Sequence, residues 1–240
     1  MFRLFFSTAI VLSIAQISQS APGPKESDRP EAPATPGQRQ RASNDLKMIG
    51  LAMHNYHDVN GALPANTVTK DGKPGLSWRV LLLPYLEEDV LFREFKLDEA
   101  WNSENNIKLV EKMPKLFMPV RGKAEKNQTF YQMFAGKSTL LGEGGKGIKF
   151  NNVTDGLSNT IMIVEGGKPV DWTKPDDLEF DGKTITKLGG MFDGQFHALM
   201  GDGSVKKIPK GIDQKVLLES ITRAGGEVSA LDAAIKKASE

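Results

Sequence analysis

Two groups of residues in this chain have the types and spacing to do chemistry. The first is His54, His57 and Asp58, which holds two of the three histidines. On a helix, positions 54 and 58 lie one turn apart on one face with 57 beside them, so two imidazoles and a carboxylate could hold a metal ion and activate water for hydrolysis. Zinc-protease helices, however, space their histidines at i and i+4 with a glutamate between, and here the spacing is i and i+3. Surface or capping bonds to nearby carbonyls are the competing use. The second group is Trp172, Lys174, Asp176 and Asp177. An aromatic ring among a lysine and carboxylates is the mixture that binds sugars or peptides. A tryptophan packing a long loop onto a sheet is the competing use. Asp202 joins these candidates as an acid beside a turn.

Other patterns fail. Gly136-Lys137-Ser138 ends like a phosphate-binding loop, but Tyr131 stands where the first glycine is required. Asp-Gly pairs recur at Asp155, Asp181, Asp193 and Asp202, without the D-x-D-x-D-G spacing of a calcium loop. No serine, histidine and acid arrangement is marked. The sequence therefore assigns no catalytic, cofactor-binding or metal residue and implies no cofactor; His54, His57, Asp58, Trp172, Lys174, Asp176, Asp177 and Asp202 stand as candidates for a binding surface.

The histidines must be positioned by residues 41–64. Ser43 or Asn44 suits an N-cap, and Asp45 places negative charge at the positive end of a helix. Leu46, Ile49, Met53 and Tyr56 recur at spacings of three and four as one apolar stripe, flanked by Met48 and Ala52. Asn60-Gly61 supplies a left-handed C-cap, and Pro64 prevents continuation. The result is a helix of about 16 residues, roughly 24 Å long, against which the rest of the domain folds.

At 240 residues, 39% hydrophobic and 25% charged, the chain can build its own core. Its 31 basic and 30 acidic residues argue against nucleic acid as a partner. No cysteine is present, which excludes disulfides, thiolate metal sites and a cysteine nucleophile. Arg3, the apolar run from Leu4 to about Ile17, and small residues at Ser18 and Ser20 form the pattern of a cleaved signal peptide over residues 1–20. Polar interruptions make the run too short for a stable membrane span. Residues 21–40 contain five prolines among small and charged residues, the composition of a disordered linker. The protein is thus expected to be exported, into the periplasm or beyond the cell.

Residues 77–95 read as a short helix stopped by Pro84 and a second amphipathic piece; Ser103 caps a helix running to Met113. The pattern then changes to β-branched and aromatic segments: 116–120, 129–134, 147–150, 160–165, 196–200 and 204–208, the last two joined by a tight turn at Gly201-Asp202-Gly203. Asp213 caps a helix reaching Gly225, and residues 229–240 form a weaker helical tail. Helices first and strands afterwards predict an α+β domain over residues 41–228, with an N-terminal amphipathic helix packed on an antiparallel sheet and extra short helices.

Several blocks together resemble the planctomycete DUF1559 family: N-D-L-K-M-I-G-L-A-M-H-N-Y-H-D at 44–58, S-W-R-V-L-L-L-P-Y-L-E at 77–87, T-D-G-L-S-N-T-I at 154–161, W-T-K-P-D-D-L at 172–178, D-G-S-V at 202–205 and I-T-R-A-G-G-E at 221–227. The resemblance implies a pilin-like helix and antiparallel sheet, with a function that is not established for the family. Many relatives begin with a prepilin leader and a glutamate ahead of a long apolar helix, where this chain has an export signal and a proline-rich spacer. Relatives also often carry a histidine ten positions before the final Asp-Gly. This chain has Phe192 there, and His197 only five positions before Asp202, so no site on that histidine is transferred.

The leading functional expectation is an exported, non-enzymatic envelope protein that binds a protein partner or an extracellular polymer. The alternatives are a metal-assisted hydrolase using His54, His57 and Asp58, and a receptor for a small sugar or peptide centred on Trp172.

Overall fold

The computed structural model describes residues 32–185, 187–209, 211–226 and 230–238. The expected signal peptide, the spacer up to residue 31 and the expected domain boundary between residues 228 and 229 lie outside the described residues. Helix α1 spans Pro36–Asn60 and is longer than the periodicity predicts. Its N-cap is Thr35, not Ser43 or Asn44. The Thr35 hydroxyl accepts the Gln38 N–H at 3.2 Å and the Gln38 amide oxygen accepts the Thr35 N–H at 2.9 Å. This is a capping box, with Pro36 at a first-turn position where no N–H is needed. The last five residues of the expected linker are therefore helical. At the other end Gly61 adopts φ 74° and its N–H donates to the His57 carbonyl at 2.7 Å, as the Asn-Gly pair predicts.

Short helices follow: α2 (Trp78–Leu81), a 3-10 turn at Leu83–Leu86, and α3 (Asp89–Glu94). The expected helix after Ser103 is a 3-10 segment, Asn106–Lys112. The segment expected as a strand at 116–120 is a 3-10 turn, Lys115–Phe117. Pro114 and Pro119 bracket it and have no N–H for a ladder. Strands β1 (Gln128–Gln132) and β2 (Phe134–Ala135) come next. The expected strand at 147–150 is replaced by a loop and a 3-10 turn at Phe150–Asn152. Then come β3 (Ile161–Asp171), β4 (Leu178–Glu179), β5 (Gln195–Met200) and β6 (Val205–Pro209). Two helices close the described chain, α4 (Gln214–Glu219), capped by Asp213 as expected, and α5 (Leu231–Lys237).

The main sheet has the order β1-β3-β5-β6 with antiparallel pairing throughout, and β2 and β4 form a small parallel pair. The expected α+β class and the turn at Gly201-Asp202-Gly203 both hold: the Met200 N–H donates to Ser204 O at 2.8 Å across it. One sheet face carries α1 and the larger core, built on Leu46, Ile49, Met53, Trp78, Phe117 and Trp172. The other face carries a smaller core, where Phe196, Ala198 and Met200 meet Leu217 and Ile221. Alternate β5 side chains point to opposite faces, so Leu199 joins the core beneath α1 and His197 shares that face. Burial on both faces explains why β5 is apolar at Phe196, Ala198, Leu199 and Met200, with His197 as the exception.

Candidate functional site

The sequence blocks meet in pairs, and the candidate chemical residues lie at these meetings. Helix α1 approaches β5 closely at Gly50, where a Cβ would come 2.9 Å from Leu199 Cδ1. One turn later His54 Nε2–H donates to Gly201 O at 2.9 Å, fastening the helix to the β5-β6 turn. Asp202 in that turn accepts the Ser204 N–H at 2.9 Å and its hydroxyl at 2.7 Å. His57 Nε2 accepts the Phe150 N–H at 3.2 Å, and its ring stacks on Phe150 at 4.0 Å. The lone pair that a metal would need is therefore engaged by backbone. His57 Nδ1 lies 3.7 Å from Asp58, whose carboxylate is exposed. Among the described residues no set of three His, Cys, Asp or Glu side chains is arranged to hold a metal ion.

Trp172 takes the packing role that competed with the binding-surface reading. It is fully buried, donates its indole N–H to Val110 O at 2.8 Å, stacks on Phe117 and meets Phe95 edge to face. A ring enclosed on these sides offers no face to a sugar or peptide. Lys174 and Asp176 stay partly exposed and pair with each other at 2.7 Å, with Lys174 5.8 Å from the Trp101 ring centre.

Asp177 is also withdrawn from the surface. It anchors a buried cluster that ties the 77–79 block to the 172–178 block. Its carboxylate accepts from Arg79 Nη2 at 3.2 Å, Trp78 Nε1 at 3.1 Å, the Met133 N–H at 2.9 Å and Asn66 Nδ2 at 2.9 Å. Arg79, with no exposed surface, donates further to Tyr131 O at 2.8 and 2.6 Å and to Ser77 Oγ at 2.6 Å. Burial pushes the guanidinium below its ordinary value, opposed by Asp177 and Asp176. Arginine remains charged there. The blocks at 154–161 and 221–227 meet likewise, with Asp155 accepting the N–H groups of Gly225 at 2.6 Å and Gly226 at 2.9 Å.

A second buried pair escaped the sequence reading. Glu165 on β3 accepts the His197 N–H at 2.7 Å and Nδ1–H at 3.0 Å. Both residues are at most 3% exposed. His197 Nε2 has no hydrogen-bond partner, and the Phe192 ring closes over the imidazole at a centroid distance of 4.6 Å. The 191–195 loop carrying Phe192 is strapped to the start of α1: Arg39 pairs with Asp193 and donates to Phe192 O at 3.1 Å, and Arg121 donates to Met191 O at 2.8 Å and to Gln38 at 3.0 Å. Nearby, Tyr131 is raised well above its ordinary value by burial, then by Glu165 and Asp45, with Arg41 opposing. Asp45 is raised by burial, again with Arg41 opposing.

Openings in the surface lie elsewhere. The outer side of α1 leaves Met48 53% and Leu51 56% exposed, contrary to the expectation that Met48 flanks the core stripe. They border a groove of 630 Å³ whose other walls include Leu86, Met113 and Leu116, with Glu87, Glu88, Lys112 and Lys115 at its edge. A smaller cleft of 320 Å³ sits against the 142–145 glycine loop. Among the described residues no helix is long and apolar enough to cross a membrane.

No curated protein and no solved structure matches this chain. The model of a family described as a protein of unknown function, DUF1559, matches residues 38–192, a span that takes in all but the first two residues of α1, the Arg79–Asp177 cluster and Glu165. The chain belongs to the DUF1559 family.

Proposed function

We propose that this is an exported, non-enzymatic envelope protein of the planctomycete, pilin-like kind, which binds a protein partner along the outer side of α1. The carrying observation is the exposure of Met48 and Leu51 above the 630 Å³ groove walled by Leu86, Met113 and Leu116. Clustered apolar side chains of this size are the mark of an interaction surface. An apolar groove with two acids and two lysines at its edge suits a protein side-chain array better than a polysaccharide. Export rests on the apolar run after Arg3 and the small residues at 18 and 20. The pilin-like assignment rests on one long N-terminal helix lying over an antiparallel sheet.

The test places a photo-cross-linking residue at position 51 of the full chain in its native cell, with position 90 as the control because Val90 is 76% exposed and does not line the groove. The expected result is a discrete envelope-protein adduct from position 51 only, on a chain processed and recovered outside the cytoplasm. Equal labelling from both positions, or an unprocessed cytoplasmic chain, contradicts the proposal. So does turnover of a substrate by the purified protein that a single side-chain substitution abolishes.

A further inference from the structure

The sheet face opposite α1 has an opening that the groove reading does not use. Beside β5 and α4 the smaller core is incompletely filled, leaving a cleft of 620 Å³, within the range of small-molecule sites. Phe196 and Leu217, both nearly buried, form its walls, with Ile185, Leu188 and Ile212 half-buried around them. Gly190 and Gly194 bring bare backbone to its edge in the left-handed region, at φ 111° and 84°. Among the described lining residues Lys187 is the one charged group and Gln214 the one uncharged polar side chain.

That combination specifies a ligand chemistry. An apolar body is needed to replace water against five large apolar side chains. A single cation at the edge, with no acid among the described lining residues, answers one singly charged anionic head. A neutral hydrocarbon would leave Lys187 without a role, and a phosphate headgroup would call for more donors than one lysine and one amide supply. We propose that this cleft binds a free medium-chain monocarboxylate, with its tail among Phe196, Ile212 and Leu217 and its carboxylate at Lys187.

The probes are decanoate below its micelle concentration and decanol, titrated calorimetrically into the full chain. The expected result is saturable one-to-one binding of decanoate. Lys187→Gln should weaken decanoate by about fivefold, the size of a partly solvated ion pair, and leave decanol unchanged. Ile212→Trp should fill the cleft and abolish both. If that variant fails to fold, amide exchange of the wild-type chain decides: slowing at 187–190 and 212–217 with decanoate supports the site, and unchanged exchange there overturns it. Absence of saturable decanoate binding, equal weakening of both probes in Lys187→Gln, or pelleting with phosphatidylglycerol vesicles without decanoate binding also overturns it. None of these outcomes bears on the α1 groove, which position 51 reports separately.

Discussion

Asp177 and Glu165 are both carboxylates buried beside a basic side chain, yet their surroundings differ in completeness. Asp177 takes four donors from Arg79, Trp78, Met133 and Asn66, and every nitrogen of the Arg79 guanidinium donates, three further N–H groups going to Tyr131 O and Ser77. Glu165 receives two donors from His197, whose Nε2 is left without a partner beneath Phe192. A buried ion pair stabilises a fold when every remaining lone pair and proton is satisfied, and costs free energy when one is orphaned. The first pair is thus a fastening between two distant stretches of chain. The second carries an uncompensated polar atom that apolar packing could replace.

Removing one member of the complete pair should have the largest effect. Arg79→Met leaves Asp177 charged and buried, and is expected to lower unfolding stability by about 3–5 kcal/mol, read by urea denaturation; a loss below about 1 kcal/mol would erase the contrast. In the second pair, His197→Ala should cost about 2–3 kcal/mol by leaving Glu165 with the backbone N–H of residue 197 but no imidazole donor, and by opening space. The double variant Glu165→Leu with His197→Phe should recover part of that, because the buried carboxylate and the unpaired imidazole nitrogen both go and the residue-197 N–H alone loses its acceptor. The matching apolar replacement of Arg79 and Asp177 should not recover, since Tyr131 O, the Met133 N–H and Asn66 would lose their partners. Equal recovery in both doubles would show that completeness is not what separates the two pairs.

Smaller effects sharpen the same distinction. His57→Ala removes the acceptor for the Phe150 N–H and the ring stack, for an expected loss of about 1–2 kcal/mol. Asp45 is the mildest case, half-buried with Oδ2 3.6 Å from Arg41 Nε, an ion pair just beyond hydrogen-bond length. Its folded value lies above 3.8 because burial disfavours the charge, so the folded state binds more protons than the unfolded one as pH rises from 3.8 through the folded value. Its contribution to stability therefore falls across that window. Asp45→Asn should match the wild type near pH 3 and exceed it at neutral pH by less than about 1 kcal/mol. A variant less stable than wild type at neutral pH would reverse the assigned cause.

Local signals in the sequence were legible where one short stretch suffices. The core stripe of α1, the Gly61 cap, the Asp213 cap and the β5-β6 turn each depend on neighbours within a few residues. The start of α1 was equally local, since Thr35-Pro36-Gly37-Gln38 spells a capping box with proline in place, but the proline-rich composition around it outweighed that signal. Strands expected at 116–120 and 147–150 failed because β propensity reports fit to a half-buried pleat, and no strand edge is offered to them. The partners of Arg79 and Glu165 were illegible for a different reason. Asp177 lies 98 residues from Arg79 and His197 lies 32 from Glu165, distances at which only the assembled sheet sets the pairing. Trp172 was visible as unusual, but its burial depended on Phe95 and Phe117 arriving from the helical layer.

The buried polar residues hold the domain together, and the outer side of α1 is proposed to meet a partner. Leu51→Glu in the full chain, measured for stability by urea denaturation and for partner contact by photo-cross-linking from position 48, tests both halves at once. Unchanged denaturation with loss of the adduct is the predicted result. A destabilised chain, or an adduct that survives the charge at position 51, would contradict it.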